Sequence, residues 1–146
     1  MSKQTIVTNT GLQAHITTDT KKIFLWENRY INAPYNNSAY DDVTIPAGTV
    51  MGRVTSTGYV KPMRSTYSDG SEIPVGILAD DYTVDGGALI DVSLCNYGDI
   101  NENAIIFELS TDNLDTTVSG QRLRDRLHNI GLRIIPSDEQ TGTDNA

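Results

Sequence analysis

Residues 43–79 decide the fold of this chain, and they read VTIPAGTVMGRVTSTGYVKPMRSTYSDGSEIPVGILA. Short apolar runs rich in β-branched residues alternate here with Gly, Pro, Ser and Asp, the pattern of short strands joined by tight turns. Pro46 presets φ for a turn, Gly48 is free to adopt a positive φ, and Gly76 lets a backbone or bulky side chain approach closely. Together with Gly52, these residues are taken to define the turns of the fold. The stretch holds no catalytic motif and predicts a small β-barrel or β-sandwich.

Length and composition predict one domain without catalytic or redox chemistry. A chain of 146 residues fits one domain with an appendage. The single cysteine, Cys95, excludes an internal disulfide, and its apolar surroundings in Ala88–Cys95 favour a buried, inert thiol over a nucleophile. The two histidines, His15 and His128, stand far apart and in no ligand spacing. We therefore expect no cofactor, no metal site and no enzyme activity.

The charge distribution argues against nucleic acid as a direct partner. The net charge is −8, and no Lys or Arg occurs from Ser65 to Gln121, whereas binding to a phosphate backbone needs clustered cations. No apolar run is long enough to span a bilayer, and the N-terminal residues lack the apolar core of a signal peptide. These features predict a soluble protein, made in the cytoplasm and without a membrane partner.

Residues 81–86 (DYTVDG) imitate the start of a calcium-binding loop. The loop motif requires a bidentate Glu at its twelfth position, where this chain has Val92, and Thr83 is a poor ligand. We therefore interpret this segment as a polar turn between strands.

The first 42 residues differ in composition from the stretch that follows, and they are interpreted as an N-terminal arm and linker. Thr5–Thr8 and Leu12–Thr18 are short β-prone runs, Lys22–Glu27 is the most apolar and aromatic window, and Asn28–Asp42 has the composition of a loop. Two interpretations stay open. The segment is either an extended arm that joins another sheet by β-augmentation, or a pair of ordinary strands of the same domain.

The remaining chain, from residue 43 to 136, is predicted to form the β-rich domain. Beyond the opening stretch, we predict strands at Ala88–Cys95 and Ala104–Leu109, with a turn at Asn96–Asp99. One helix is expected at about residues 120–130, and a disordered tail is expected at residues 137–146.

The predicted helix has recognisable ends. Ser119 is a candidate N-cap, and Leu123, Leu127 and Ile130 form one apolar stripe. Gly131 is placed to end the helix in a left-handed conformation, after which Leu132–Ile135 reads as a last short strand.

Two segments of the chain resemble a known family when they are taken in order. The segments IPAGTVMGRV (residues 45–54) and GSEIPVGILADD (residues 70–81) resemble the head decoration proteins of tailed bacteriophages, the lambda D-like group. The matching motifs are Ala47–Val54 and Pro74–Asp81, and the resemblance covers about residues 43–109. It implies a small β-tulip-like barrel or sandwich with an extended N-terminal arm and one short C-terminal helix.

The resemblance also implies a function. Family members bind as homotrimers at three-fold and quasi-three-fold positions on the outside of the expanded head, contact the major capsid protein and strengthen the shell. The protein would be made in the bacterial cytoplasm and would reside on the outer capsid surface of the virion. The residues expected to bind the capsid are Thr5, Ile6, Val7, Leu12, Ile16, Phe24 and Trp26. An alternative is a capsid-attached adhesion or fibre-anchoring module that exposes the segments Tyr30–Tyr40 or Ser65–Ser71.

Overall fold

A computed structural model describes residues 23–38 and 40–136. The described part is mainly β, with one α-helix, α1 (Leu123–Ile130), and a short 3-10 helix at Glu102–Ala104. The strands are β1 (Phe24–Asn36), β2 (Val43–Ile45), β3 (Val50–Arg53), β4 (Val60–Pro62), β5 (Pro74–Leu78), β6 (Tyr82–Val84), β7 (Leu89–Asn101), β8 (Thr117–Val118), β9 (Gln121–Arg122) and β10 (Leu132–Ile135). The predicted fold class, mainly β with one short C-terminal helix, is confirmed.

Five strands close into a barrel in the order β1-β4-β3-β5-β7, with β7 pairing back to β1. The strands β1 and β7 have 13 residues each and run antiparallel, from Phe24 opposite Ile100 to Asn36 opposite Leu89. The other edge of β7 is shared, because β5 pairs with its middle and β10 extends parallel to its end. The strand β7 is therefore the central strand of the fold.

The sheet buries apolar side chains on both faces. Adjacent residues of one strand, such as Val50 and Met51 or Ile77 and Leu78, belong to different clusters because side chains alternate across a strand. The first cluster contains Val50, Met63, Ile77, Cys95, Ile100, Leu114, Val118, Leu123, Leu127 and Leu132. The second contains Ala33, Tyr35, Ile45, Met51, Val60, Leu78, Val84, Val92 and Leu94. The helix α1 contributes Leu123 and Leu127 to the first cluster, which attaches the helix to the barrel.

Of the residues predicted to define turns, Pro46 and Gly48 lie in a turn, but Gly52 lies within β3 and Gly76 within β5. The prediction is wrong for Gly52 and Gly76 because these glycines serve close approach of another chain segment to a strand and not a change of chain direction. Pro46 and Gly48 form the turn between β2 and β3, in which Gly48 has a φ of 95° and donates its N–H to the Leu78 carbonyl at 2.9 Å. A Cβ at Gly48 would collide with the Ala104 carbonyl oxygen, and one at Gly52 with the Ser71 carbonyl. At Gly76 a Cβ would lie 3.0 Å from the Cys95 carbonyl oxygen, across the β5–β7 pair. Each of these glycines allows two backbone segments to approach closely.

The end of the helix is as predicted, but its start is not. Gly131 has a φ of 115° and donates its N–H to the carbonyls of His128 and Leu127, and β10 follows directly. Ser119 lies in the turn between β8 and β9 with a φ of 50°, and the N-cap position is held by Arg122 without a side-chain capping bond. The predicted Ser119 N-cap is wrong because residues before the helix pair as the β8–β9 hairpin.

Two further predictions around β7 are wrong. The segment predicted as a turn, Asn96–Asp99, is part of the continuous strand β7, since β1 and β10 pair with it on either side. Ala104–Leu109 does not form a strand beyond one isolated bridge between Ile106 and Thr49. Beyond β5, the same edge of β7 pairs with β10. Apart from that bridge, no strand of the described chain pairs with residues 104–109.

The loop predicted over Asn28–Asp42 is wrong as far as Asn36, because Phe24–Asn36 is the barrel strand β1. Several polar side chains of β1 face solvent, which explains why its composition resembles a loop. The predicted arm and linker, residues 1–42, therefore includes a strand of the barrel. Residues 1–22 of the predicted arm and residues 137–146 of the predicted tail lie outside the described residues.

Candidate functional site

The exposed apolar side chains concentrate on β1 and β7. Among the described residues, the large apolar side chains that are exposed are Trp26, Tyr30, Ile31, Tyr40, Leu89, Tyr97 and Ile106. Trp26 and Tyr97 lie near the start of β1 and the end of β7, and their exposed fractions are 66% and 43%. Exposed aromatic surface of this kind marks interaction sites.

A β-bulge places Trp26 and Arg29 on the same face of β1. Trp26 is opposite Asp99 and Arg29 is opposite Tyr97, so three steps along β1 match two steps along β7. The additional residue is accommodated at Glu27, which has a φ of 53°. Residues opposite each other in a sheet share a face, and therefore Trp26, Arg29, Tyr97 and Asp99 all project from one face.

Gly98 of β7 and Asn28 of β1 hold the two strands close together at the bulge. Gly98 has a φ of 119°, and a Cβ at this position would lie 2.8 Å from the Trp26 carbonyl oxygen and 2.6 Å from the Asn28 side-chain nitrogen. The same nitrogen, Nδ2 of Asn28, donates to the Asp99 carbonyl at 3.2 Å and contacts Cys95 Sγ at 3.5 Å. A residue with a side chain at position 98 would push the two strands apart.

The end of α1 and the strand β10 close the third side of the site. The Gly98 N–H donates to the Gly131 carbonyl at 3.1 Å, and a Cβ at Gly131 would lie 2.8 Å from Cδ2 of Tyr97. Nε of Arg133 lies 3.3 Å from Oδ1 of Asp99, which ties β10 to β7. These segments enclose a cleft of about 260 Å³, called the bulge cleft below. It is lined by Trp26, Glu27, Tyr97, Gly98, Asp99, His128, Gly131 and Arg133.

Arg29 is the charged group of this surface that lacks a carboxylate partner. Its guanidinium carbon lies 4.8 Å from the centre of the Tyr97 ring, a cation–π contact. The nearby carboxylates are engaged elsewhere, because Glu27 accepts a hydrogen bond from Trp26 Nε1 at 2.9 Å and Asp99 pairs with Arg133. No ion pair within 4.0 Å joins Arg29 to a described residue.

The remaining chemistry of the described part is structural. Cys95 is fully buried, as predicted, and burial raises the pKa of its thiol. The polar turn predicted over residues 81–86 is wrong for Tyr82–Val84, because these residues pair with β2 and form the strand β6. The turn between β6 and β7 is Asp85–Ala88, and Asp81 accepts a hydrogen bond from the Ala47 N–H at 2.7 Å. In residues 23–38 and 40–136, no cluster of three His, Cys, Asp or Glu side chains is arranged to hold a metal. No helix of this region is long and apolar enough to cross a membrane.

A second, larger cleft of about 430 Å³ lies between the segment that follows β7 and the helix. Glu102, Asp115 and Arg124 are on its rim, and Arg124 Nη1 lies 3.4 Å from Glu102 Oε1. Its lining holds three carboxylates, Glu102, Asp112 and Asp115, and one cation, Arg124, so the cleft is acidic.

The family model of the bacteriophage lambda head decoration protein D matches residues 36–126. The chain belongs to this family. The comparison with curated proteins found no match. The head decoration family is structural, and membership implies a protein that binds a phage capsid and is located in the virion. The matched region extends from the last residue of β1 into α1, so Trp26 and Arg29 precede it and β10 follows it.

The residues that were predicted to bind the capsid fall into two groups in this head decoration family member. Thr5, Ile6, Val7, Leu12 and Ile16 lie outside the described residues. Phe24 is half-buried against the first core cluster and meets the Tyr30 ring edge-on at 5.9 Å, whereas Trp26 is exposed. Phe24 is opposite Ile100 and Trp26 is opposite Asp99, so they project from opposite faces of the sheet.

Sequence reasoning missed Arg29 and Tyr97. Tyr97 was hidden in a segment with the composition of a turn, and Arg29 in one with the composition of a loop. The available signal was the mixture of Trp, Arg and Tyr in residues 26–30 (WENRY), since these residue types dominate binding hot spots.

Proposed function

We propose that this decoration protein binds the outer surface of the expanded phage head as homotrimers at three-fold and quasi-three-fold positions. There it bridges subunits of the major capsid protein and stabilises the shell against the pressure of packaged DNA. The observation that carries this proposal is the match of the head decoration family over residues 36–126, which include most of the barrel. The acidic composition supports an outer position, because a net charge of −8 disfavours contact with packaged DNA.

The physical basis of such stabilisation is simultaneous contact with several subunits. Each contact raises the effective concentration of the next, so that weak individual contacts give tight binding to an assembled lattice. A protein that binds the expanded lattice and not its separated subunits stabilises the expanded state by linkage.

The N-terminal residues Thr5, Ile6, Val7, Leu12 and Ile16 belong to this proposal as capsid contacts, with Phe24 and Trp26 at the start of β1. An extended segment supplies backbone donors and acceptors that can add to a sheet of the capsid subunit. Trp26 supports the proposal most directly, because 66% of its surface is exposed in the isolated chain.

The decisive experiment mixes the purified protein with expanded, DNA-free heads that lack it and measures co-sedimentation. We expect saturable binding to expanded heads, no binding to unexpanded heads, and a higher temperature of head rupture when the sites are filled. Since the protein is added from outside, binding to closed heads reports on the outer surface. If the full-length protein fails to bind expanded heads, the proposed function is wrong.

Two further measurements test the role of the N-terminal arm and the trimeric arrangement. Deletion of residues 1–20 is expected to weaken binding, and equal binding by the deletion variant would remove the arm from the proposal. Imaging of decorated heads is expected to show density in groups of three at the three-fold and quasi-three-fold positions. Single copies at other positions would contradict the trimer.

A further inference from the structure

We propose that the bulge cleft is a docking site for a capsid segment that carries an apolar side chain next to a carboxylate. The apolar side chain would occupy the cleft beside Trp26 and Tyr97, and the carboxylate would bind the guanidinium of Arg29. This inference rests on the proposed function and specifies the chemistry of one of its contacts.

The first argument is the composition and exposure of the site. Trp, Tyr and Arg are the residues most enriched among binding hot spots, and here Trp26, Tyr97 and Arg29 share one face. Trp26 is the single tryptophan of the chain, and most of its side chain is exposed to water in the isolated chain. Covering the apolar surface of its ring would contribute favourably to binding.

The second argument is charge. Most cations of the described chain are in ion pairs, namely Lys61 with Asp69, Arg64 with Glu108, Arg122 with Asp125, Arg124 with Glu102, and Arg133 with Asp99. Arg53 and Arg126 have no carboxylate partner among the described residues, but each side chain is partly buried and its Nε is fully buried. Arg29 is exposed and lies on Tyr97. Its charge is therefore available to an external carboxylate.

The guanidinium of Arg29 also suits such a partner in its geometry. Its N–H donors lie in one plane, and a carboxylate can accept two parallel hydrogen bonds from them. Of the other charged groups at the site, Arg133 is paired with Asp99, and Glu27 accepts the hydrogen bond from Trp26. Arg29 is therefore the cation that the site offers to an acidic group of the partner, although the chain as a whole is acidic.

The third argument is that the cleft is already formed. Its walls are held by the Gly98–Gly131 hydrogen bond, the Arg133–Asp99 ion pair and the close contact of Gly131 with Tyr97. A site that exists before binding avoids the entropic cost of ordering loops on association. The partner then has to order only its own segment.

The test compares the binding of full-length variants to expanded, undecorated heads. Trp26→Ala and Arg29→Glu are each expected to weaken binding by about 30-fold, as for a hot-spot residue, with Arg29→Lys intermediate because it keeps the charge but loses the planar fork. Tyr40→Ala is the matched control, since Tyr40 is 71% exposed and does not line the cleft. Its binding is expected to stay within about twofold of the wild type.

A direct readout on the wild-type protein keeps the test independent of mutations. Hydroxyl-radical footprinting with mass spectrometry should show that Trp26 and Tyr97 are protected on heads, whereas Tyr40 is modified as in the free protein. If Arg29→Glu binds as tightly as Tyr40→Ala, the cleft inference is wrong and the proposed function stands. If the wild type binds heads but Trp26 stays reactive, the cleft inference and the capsid contact of Trp26 are both wrong, whereas head decoration itself stands. Tighter binding by Arg29→Glu would show that the partner segment is not acidic. Failure of the wild type to bind rejects both.

Discussion

Trp26 and Arg29 lie on the same face of β1 although they are three positions apart in the sequence. In a regular strand, residues at odd spacing face opposite sides of the sheet. Here Trp26 is opposite Asp99 and Arg29 is opposite Tyr97, so β1 has one residue more than β7 between the two pairs. The bulge thus creates the bulge cleft, and the residues that maintain it are suitable targets for mutation.

Gly98→Ala is expected to destabilise the protein by about 2–4 kcal/mol. The φ of 119° disfavours any residue with a Cβ, and the added atom would lie within 3 Å of Trp26 and Asn28. Denaturant unfolding measures the change. Gly87→Ala is the control, because Gly87 also has a positive φ of 85° but has no atom within 4 Å of the Cβ position. If the two variants lose equal stability, contact between the strands at Gly98 is not the cause.

Asn37 is a buried connection between the loop after β1 and the β6–β7 turn. Its exposed fraction is 1%, and Nδ2 lies 2.9 Å from the carbonyl oxygen of Asp41, 3.2 Å from that of Val84 and 3.1 Å from that of Asp85. Asn37→Ala is expected to reduce the free energy of unfolding by about 1–3 kcal/mol, because these carbonyls lose their donor.

Asn37→Asp sharpens this prediction. A carboxylate at position 37 would face three carbonyl oxygens, so this variant is expected to be less stable than Asn37→Ala at pH 7 and to recover partly in acid, where a protonated carboxyl can donate. Thermal unfolding at both pH values measures the difference. The control is Asn32→Ala on the exposed side of β1, for which the change should stay within about 0.5 kcal/mol. Equal stability of all three variants would contradict the role of Asn37.

Asp69 is expected to contribute stability that depends on pH. Hydrogen bonds from Lys61 and Ser71 to its carboxylate hold the pKa of Asp69 well below its usual range. A lowered pKa means that the contribution is present above the pKa of the unfolded chain, about 3.9, and is lost as the pH falls through the pKa of the folded protein.

The corresponding experiment measures urea unfolding of Asp69→Asn between pH 7 and pH 2. The wild type is expected to be more stable at pH 7, and the difference is expected to shrink below about pH 4. Asp91→Asn, at an exposed position of β7 without an ion pair to a described residue, serves as the control and should show no such trend. A difference that is constant across this range would contradict the assignment.

Cys95 is expected to be unreactive in the folded protein. Its side chain is fully buried, its thiol donates to the Tyr97 carbonyl at 3.3 Å, and burial raises the pKa. A thiol reagent at neutral pH should modify it only as fast as the protein opens, and rapidly in denaturant. Since the chain has one cysteine, the reaction is read without a second signal. Fast modification under native conditions would show that the β5–β7 region opens readily.

Much of the scaffold could be predicted from local sequence. The turn at Pro46–Gly48, the strand β5 and the helix end at Gly131 depend on residues whose backbone preferences or apolar runs are visible along the chain. Two of the errors share one cause. Segments with the composition of a turn or loop, such as Asn96–Asp99 and the middle of β1, are held extended by strands that are distant in sequence.

The candidate site was only partly visible. Trp26 was selected because it lies in an apolar, aromatic window, but its neighbours across the sheet were not. The approach of Tyr97 to Arg29 joins residues that are 68 positions apart, and it depends on the register of two long strands. The bulge at Glu27 and the conformation of Gly98 decide which side chains of the two strands share a face. Neither feature has a distinctive sequence signal.

The sequence by itself determined the β-rich class, the turn at Pro46–Gly48, the acidic character and, through its family motifs, membership among head decoration proteins. These properties depend on which residues are present and on short-range backbone preferences. Only the tertiary structure decided that β1 is a barrel strand, that Cys95 lies against Asn28, and that Trp26, Arg29 and Tyr97 form one surface. The physical reason is that strand pairing is a long-range interaction, and a shift of one residue in its register transfers a side chain to the opposite face.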